Sequence, residues 1–484
     1  MSFKKNSFWS ISNMIGIQII VLLTNIVLAR LVGPDIFGLL SMATIFTNFM
    51  FVIQEAGFSS YIIYVEDLKP KLLSTSFLLN LLFSIILVLI LLSLTDVIVD
   101  FYSKGEVGTI IRLAAIGLFF ESISVINRAI LMRQKKFKKL AIMDLSIEII
   151  VSVFSVFLAF RGYYIFAVTA KLVIRPVLSS AILLAHNYQK LFVKPDFKLV
   201  KDILPYSNRV LGIQIFNYFN SNLDYIVIGK ILGSTSLGYY SLAYNWGYLV
   251  RGYISGAVAR VAFPEISANQ KNNIKVEQIL TMLFDKVSFF VFPITMGLFV
   301  VAPEFISGIY GDQWSQSTPI LRILLISGII GAFGSIGSML LKAIGKPEIE
   351  LKVSIVSLIV FVMCIVPATR YGIIGVCYSV LFSISLIFLV RSILIIKILK
   401  SSLKTYFYSF GLNIFSTLCM MIVVFIVKNM LDNYLTNTLV LVTSILIGVI
   451  CYIGFALRFN YRTTISVVNS FYPMYLKVFH KKIS

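Results

Sequence analysis

Charge is what this chain has least of. Asp, Glu, Lys and Arg make up 13% of its 484 residues, against about 25% in soluble globular domains. A water-facing surface of ordinary polarity is excluded at this length. Histidine is nearly absent: His186 and His480 both sit in basic polar segments, so no metal cluster can be built from them. Cysteine is sparse as well. Cys364, Cys377, Cys419 and Cys451 are scattered through apolar runs and form no CxxC pair, which argues against a disulfide framework or a zinc site and leaves core packing. Long polar stretches are missing too. The longest, 186–205 ("HNYQKLFVKPDFKLVKDILP"), leaves no room for a catalytic or ligand-binding domain between the apolar runs. No phosphate-binding glycine loop and no nucleophile–base constellation occurs. These absences argue against an enzyme, and no cofactor or metal is expected.

What the chain has is apolar sequence. Hydrophobic residues reach 58% and mean hydropathy is +0.93. Fourteen runs of helix length recur from 8–31 to 438–457, the seventh at 206–232 and the eighth at 237–262. Such runs are the signature of membrane-spanning helices, and the expected fold is an all-α polytopic membrane protein. The first run is too long for a signal-peptide core and no small-residue cleavage site follows it, so it reads as the first span.

The net charge of +21 is explained by position. With the N-terminus inside, the segments predicted to be cytoplasmic hold most of the lysines, including the cluster Arg133, Lys135, Lys136, Lys138 and Lys139. The alternate segments hold only Arg30, Lys104, Arg161, Lys230, Arg370 and Lys428. The positive-inside rule then places both termini in the cytoplasm and supports an even number of spans. The charge is topology, and nucleic acid is not an expected partner. Nothing in the chain points beyond a monomer.

One pattern is stated twice. "LARLVGPDIFGLLS" at 28–41 is echoed by "IGKILGSTSLGYYS" at 228–241. At an offset of 200, Ile26, Val27, Gly33, Gly38, Ser41 and Ala43 match Ile226, Val227, Gly233, Gly238, Ser241 and Ala243. Each copy closes one span and opens the next, and the six spans between them give both the same orientation. Parallel repeats related by an axis along the membrane normal are a device of two-lobed transporters. The expected organisation is a six-helix lobe at 1–190, a second at 191–400, two further helices at 401–457 and a basic tail at 458–484.

The paired "GPDIFGLLSMA" and "GSTSLGYYSLAYN" resemble the polysaccharide flippases of the multidrug/oligosaccharidyl-lipid/polysaccharide exporter superfamily, the O-antigen and colanic-acid types most closely. "QEAGFSSYIIYVEDL", "RVAFPEIS" and "LLKAIGKPEIEL" fit the same pattern, and the resemblance covers approximately residues 5–400. It implies a V-shaped pair of lobes around a central cavity lined by the first, second, seventh and eighth spans. It also implies a bacterial cytoplasmic-membrane location, an undecaprenyl-diphosphate-linked oligosaccharide as cargo, and membrane lipids and polysaccharide polymerase machinery as partners. Alternating access would move the cargo between leaflets, driven by protons, sodium or the membrane potential. The transport alternatives are a lipid II flippase and a multidrug/toxin extrusion antiporter, the latter with the same fold and a different cargo. A polysaccharide polymerase or ligase is the alternative of another class, but would need a sizeable extracytoplasmic loop.

Charges inside spans are costly and mark cavities or partners. Basic residues outnumber acids there, which suits a diphosphate. Arg251, Arg260 and Arg209 are candidate counter-charges. On the seventh span Asn217, Asn220 and Asp224 share one face; on the eighth, Tyr244, Tyr248, Arg251 and Ser255 do. With Gln18 and Asn25 on the first span, these amide, hydroxyl and aromatic groups suit sugar recognition. Glu55 and Asp224 are candidates for ion or proton coupling. Arg30 and Lys230, one per copy, are expected at the outer mouth. Asp144, Glu148, Lys171 and Arg175 are expected to form a salt-bridge cluster within the first lobe, Glu121 to pair with Arg128, and Lys286, Arg322 and Arg391 to snorkel to the membrane edges. The last two spans lie outside the two-lobe repeat; the resemblance to lipid flippases of the superfamily implies a groove for the lipid tail there, and peripheral packing is the alternative.

Overall fold

The computed structural model describes residues 3–55, 58–191, 193–400, 403–432, 434–461 and 463–465. Side chains at 3–8, 11, 186–191, 202–210, 213, 216–217, 250–251, 253–255, 257–260 and 403–409 are excepted. Within these limits every regular element is helical. The order is α1 (Phe3–Leu31), α2 (Pro34–Glu55), α3 (Phe58–Tyr64), α4 (Pro70–Tyr102), α5 (Gly105–Arg133), α6 (Phe137–Phe160), α7 (Tyr164–Leu191), α8 (Val200–Ala268), α9 (Asn273–Val300), α10 (Ala302–Phe305), α11 (Ser317–Ala343), α12 (Pro347–Ala368), α13 (Gly372–Leu399), α14 (Leu403–Leu431) and α15 (Asn437–Phe459).

Eleven helical segments among the described residues are long and apolar enough to cross a membrane, one running through both α12 and α13. The 69 residues of α8 would make a rod of about 100 Å, far beyond the ~30 Å hydrocarbon layer. Gly233 divides it: its φ of 83° and ψ of 178° lie outside the helical range and suit only glycine. Counting the two arms separately, the long helices number fourteen and follow the order of the apolar runs. The short α3 lies in the "QEAGFSSYIIYVEDL" stretch, where apolar periodicity did not predict a helix.

The chain packs as two compact units, Met1–Ser241 and Leu242–Ser484. In the first, α5 is central and packs on α2, α3, α4 and α7, while α1 lies on α6. Gly117 lets α7 approach so closely that an added Cβ would fall 1.8 Å from the Leu172 carbonyl oxygen. Polar side chains tie the helices where no water would be present: Gln54 donates to the Leu118 carbonyl at 2.9 Å and Asn80 to that of Ser122 at 2.8 Å.

In the second unit α11 is the most buried helix, packed on α9, α12 and α13. A cluster of Phe284, Phe292, Phe333 and Phe410 joins α9, α11 and α14. α14 and α15 pack on each other and on α9. Tyr452 donates to the Phe289 carbonyl at 2.8 Å. Asn413 donates to the Asp285 carboxylate at 3.1 Å and Thr463 donates to it at 2.5 Å. The terminal helices are therefore built into this unit by both apolar and polar contacts.

Candidate functional site

The two copies of the repeated segment meet inside the first unit. An added Cβ at Gly38 of α2 would fall 1.8 Å from the Ser234 carbonyl oxygen, and one at Gly238 of α8 would fall 1.9 Å from the Pro34 carbonyl oxygen. Positions 34 and 234 correspond under the repeat, as do 38 and 238. Each glycine therefore lies against the first residue after the break in the other copy. No side chain fits at either glycine without separating the helices. Asp35 fastens this crossing. Its carboxylate accepts hydrogen bonds from Ser234 Oγ and, at 3.1 Å, from Thr235 Oγ1, and it stands at the amino end of the second arm of α8, where a negative charge is favoured.

Along the first arm of α8, contacts with α2 continue. The Tyr218 hydroxyl donates to the Ile45 carbonyl, and Phe49 packs on the rings of Tyr218 and Phe219 with centroids 5.5 and 5.1 Å away. Asp224 is buried. It accepts from the Tyr240 hydroxyl at 2.7 Å and from the Tyr225 amide at 3.0 Å. Asn220 is exposed, and Asn217 lies outside the described side chains. Lys230 is exposed, donates to the Phe101 carbonyl at 2.5 Å and lies over that ring at 4.9 Å. Arg30, Asn25 and Glu55 are exposed and Gln18 is half-buried.

The intramembrane charges of α5, α6 and α7 form a balanced set. Arg128 grips Asp144 with two 2.9 Å bonds, and Asn13 of α1 donates to the same carboxylate at 3.2 Å. Glu148 pairs with Lys171 at 2.9 Å and Arg175 at 3.4 Å. Glu121 interacts electrostatically with Arg128 and Arg175. The expected cluster is present, with one change: Arg128 gives its two-pronged contact to Asp144 across the α5–α6 hairpin, because a planar guanidinium matches a facing carboxylate better than one two turns along its own helix. Three cations face three acids here, so this set offers a phosphate no surplus of positive charge.

The second unit holds two further buried pairs. Arg391 contacts Glu350 at 3.0 and 3.1 Å and donates to the Gly334 carbonyl at 3.0 Å. Its stem crosses α11 where Gly337 leaves space. Arg391 thus does not snorkel to a membrane edge; the small residues Gly334 and Gly337, three apart, were the available signal. Lys428 pairs with Glu304 at 2.8 Å, also buried. Arg322 donates to the Phe299 carbonyl at 3.1 Å and lies over its ring.

Of the eighth-span stripe, Tyr244 and Tyr248 are described. Their rings are nearly parallel, 12° apart with centroids at 6.1 Å, with Tyr248 exposed and Tyr244 half-buried. Such a pair offers flat aromatic surface of the kind that suits sugar rings. Arg251, Ser255, Arg260 and Arg209 lie outside the described side chains. Asp35, which pattern reading passed over, is the polar fastener of the repeat.

The model of a family described as "Polysaccharide biosynthesis protein" matches residues 27–319. The chain is 26% identical to the teichuronic acid biosynthesis protein TuaB of Bacillus subtilis (strain 168), over 84% of this chain and 85% of that one. It is 25% identical to the lipopolysaccharide biosynthesis protein WzxC of Escherichia coli (strain K12), over 82% of each. The lipid II flippase MurJ in an inward closed conformation superimposes with a TM-score of 0.71 at 18% identity, covering 95% of this chain and 99% of that one. At that identity the likeness concerns the fold.

Removing one member of a buried ion pair leaves the other uncompensated. Asp144→Asn should therefore lower the unfolding free energy of the detergent-solubilised protein by about 3 kcal/mol. Arg128→Met added to it should recover part of the loss in the same denaturation measurement.

Proposed function

The chain belongs to the polysaccharide biosynthesis protein family, and from this premise we propose that it is a flippase for a polyprenyl-diphosphate-linked oligosaccharide, the repeat unit of a cell-envelope polysaccharide. The cargo would cross the bacterial cytoplasmic membrane from inner to outer leaflet by alternating access. Both termini of the protein would face the cytoplasm. Two lobes at 1–190 and 191–400 would carry the movement, with 401–457 and the tail at 458–484 as additions to them.

The observation that carries this reading is the reciprocal crossing of Gly38 on Ser234 and Gly238 on Pro34. Transport by alternating access needs an end that closes and parts repeatedly. Glycine-to-backbone contact gives a close fit with little apolar area to pull apart, and the Asp35 fastening consists of two hydroxyl bonds, each worth about 1.5–3 kcal/mol because one partner is charged. Such a seal is strong enough to close and weak enough to open.

Cargo recognition follows from charge accounting. Arg128, Lys171 and Arg175 are committed to carboxylates within the first unit. The diphosphate would then be met by Arg209, Arg251 and Arg260, with Arg30 and Lys230 nearest the outer leaflet. Tyr244, Tyr248, Asn217, Asn220, Gln18 and Asn25 would contact sugar. Glu55 and Asp224 are the acids through which protons, sodium or the membrane potential would couple to movement.

A double variant, Asp35→Cys with Thr235→Cys, tests the crossing directly. Oxidation should fasten it and stop delivery of surface polysaccharide in cells lacking the chromosomal copy, and reductant should restore delivery. Delivery that continues in the cross-linked protein would overturn the reading. Arg251→Ala should abolish surface polysaccharide while leaving the amount of protein in the membrane unchanged, measured by immunoblotting. Glu55→Gln should lower the transport rate in reconstituted vesicles at least several-fold, and an unchanged rate would remove its coupling role.

A further inference from the structure

The turn between α5 and α6 opens onto a groove of about 760 Å³ on the first unit. Lys135, Lys136, Lys138 and Lys139 line one end, and the exposed apolar side chains Ile142, Ile150 and Ile182 line the rest, along α6 and α7. From Lys138 to Ile150 the helix rises ~18 Å, close to the ~15 Å half-thickness of a bilayer's hydrocarbon. The groove is thus charged at the depth of one headgroup layer and apolar through one leaflet.

None of the four lysines takes a carboxylate partner among the described residues. The nearest acids on α6, Asp144 and Glu148, are buried and already paired. The first turn of α6 contains no acid, so Lys138 and Lys139 add to the positive end of the helix instead of offsetting it. Lys138 is held over the Trp9 ring at 5.5 Å, which fixes one ammonium at the mouth.

A second turn of the same geometry shows that this charge is not needed to make the turn. Lys135 N–H donates to the Met132 carbonyl at 2.9 Å and Lys136 N–H to that of Leu131 at 3.0 Å. At the α11–α12 turn, Gly345 and Lys346 make the corresponding bonds to Lys342 and Leu341 at 3.2 and 2.9 Å. The left-handed residue is Gly345 there, with φ of 74°, and Lys135 here, with φ of 56°. Glycine adopts that conformation without strain and lysine does not. α12 also begins with Glu348 and Glu350, where α6 has lysines. One turn geometry is thus built twice, and only the copy beside the apolar groove carries the concentrated charge, one of its lysines at a conformational cost.

We propose that this groove binds an anionic phospholipid of the leaflet at which α6 begins, its phosphate held by Lys135, Lys136, Lys138 and Lys139 and one acyl chain lying along Ile142, Ile150 and Ile182. Charge complementarity selects the headgroup, and the one-leaflet length of the groove selects an acyl chain over a longer polyprenyl tail. The inference does not rest on the cargo, and its failure would leave the flippase reading intact.

The test uses the full-length protein and counts bound lipid by native mass spectrometry, with phosphatidylglycerol, phosphatidylcholine and undecaprenyl phosphate as probes. Wild type should retain phosphatidylglycerol at least tenfold better than phosphatidylcholine. Lys135→Gly combined with Lys136→Gln, Lys138→Gln and Lys139→Gln should abolish that preference. Lys135→Gly relaxes the turn, so a thermal unfolding midpoint at or above that of wild type separates lost binding from lost fold. Ile150→Trp, which fills the groove and leaves every charge in place, should also lower phosphatidylglycerol retention. Unchanged retention in either variant, or stronger retention of undecaprenyl phosphate than of phosphatidylglycerol, overturns the proposal.

Discussion

A polar group in the hydrocarbon of a bilayer has no water to turn to, so each one must find a partner within the protein. That requirement arranges the helices of this chain. Asp144, Glu148, Glu304 and Glu350 are all buried, and each meets a cation on another helix. Uncharged donors follow the same rule: the side-chain NH2 groups of Gln54 and Asn80 of α2 and α4 reach carbonyls of α5, while their oxygens take no partner among the described residues, and Asn413 ties α14 to α9. Apolar packing alone would leave helices free to slide or rotate against one another, since lipid is as apolar as their side chains. The pairs remove that freedom by making most rotations leave a charge alone.

Pairing of this kind separates structural charge from charge that remains available. Among the intramembrane charges of α5, α6 and α7, Glu121, Asp144 and Glu148 face Arg128, Lys171 and Arg175, so that set contributes a rigid frame and little net field. Positive excess lies at the α5–α6 turn and among the arginines of α8. α8 differs from every other long helix: it is broken at Gly233, it carries the polar and aromatic stripes, and its first arm packs on α2 through Tyr218 and Phe219. The proposed movement and the proposed recognition therefore draw on the same element.

Much of the architecture was legible in the sequence because hydropathy reports burial in lipid directly. The order of the spans, the two-copy pattern and the α5–α7 charge cluster all follow from residue type and spacing. Position within a helix also exposed the Glu148 partners, Lys171 and Arg175, since i,i+4 neighbours share a face. Pairings between helices far apart in sequence were not legible in this way. Arg391 reads as a membrane-edge residue until Glu350 of α12 and the gap left by Gly337 of α11 are seen together. Asp35 reads as an ordinary turn residue until Ser234 and Thr235 arrive beside it from far along the chain. The short α3 escaped for a simpler reason, being too brief to show a period.

The glycine crossing also bears on how the two copies can change with time. Because Gly38 abuts the backbone at Ser234 and Gly238 abuts the backbone at Pro34, a side chain gained at either glycine meets main chain, which no compensating substitution in the other copy can remove. Gly38 and Gly238 are thus the two matched positions at which neither copy can take a side chain while the crossing stays this close.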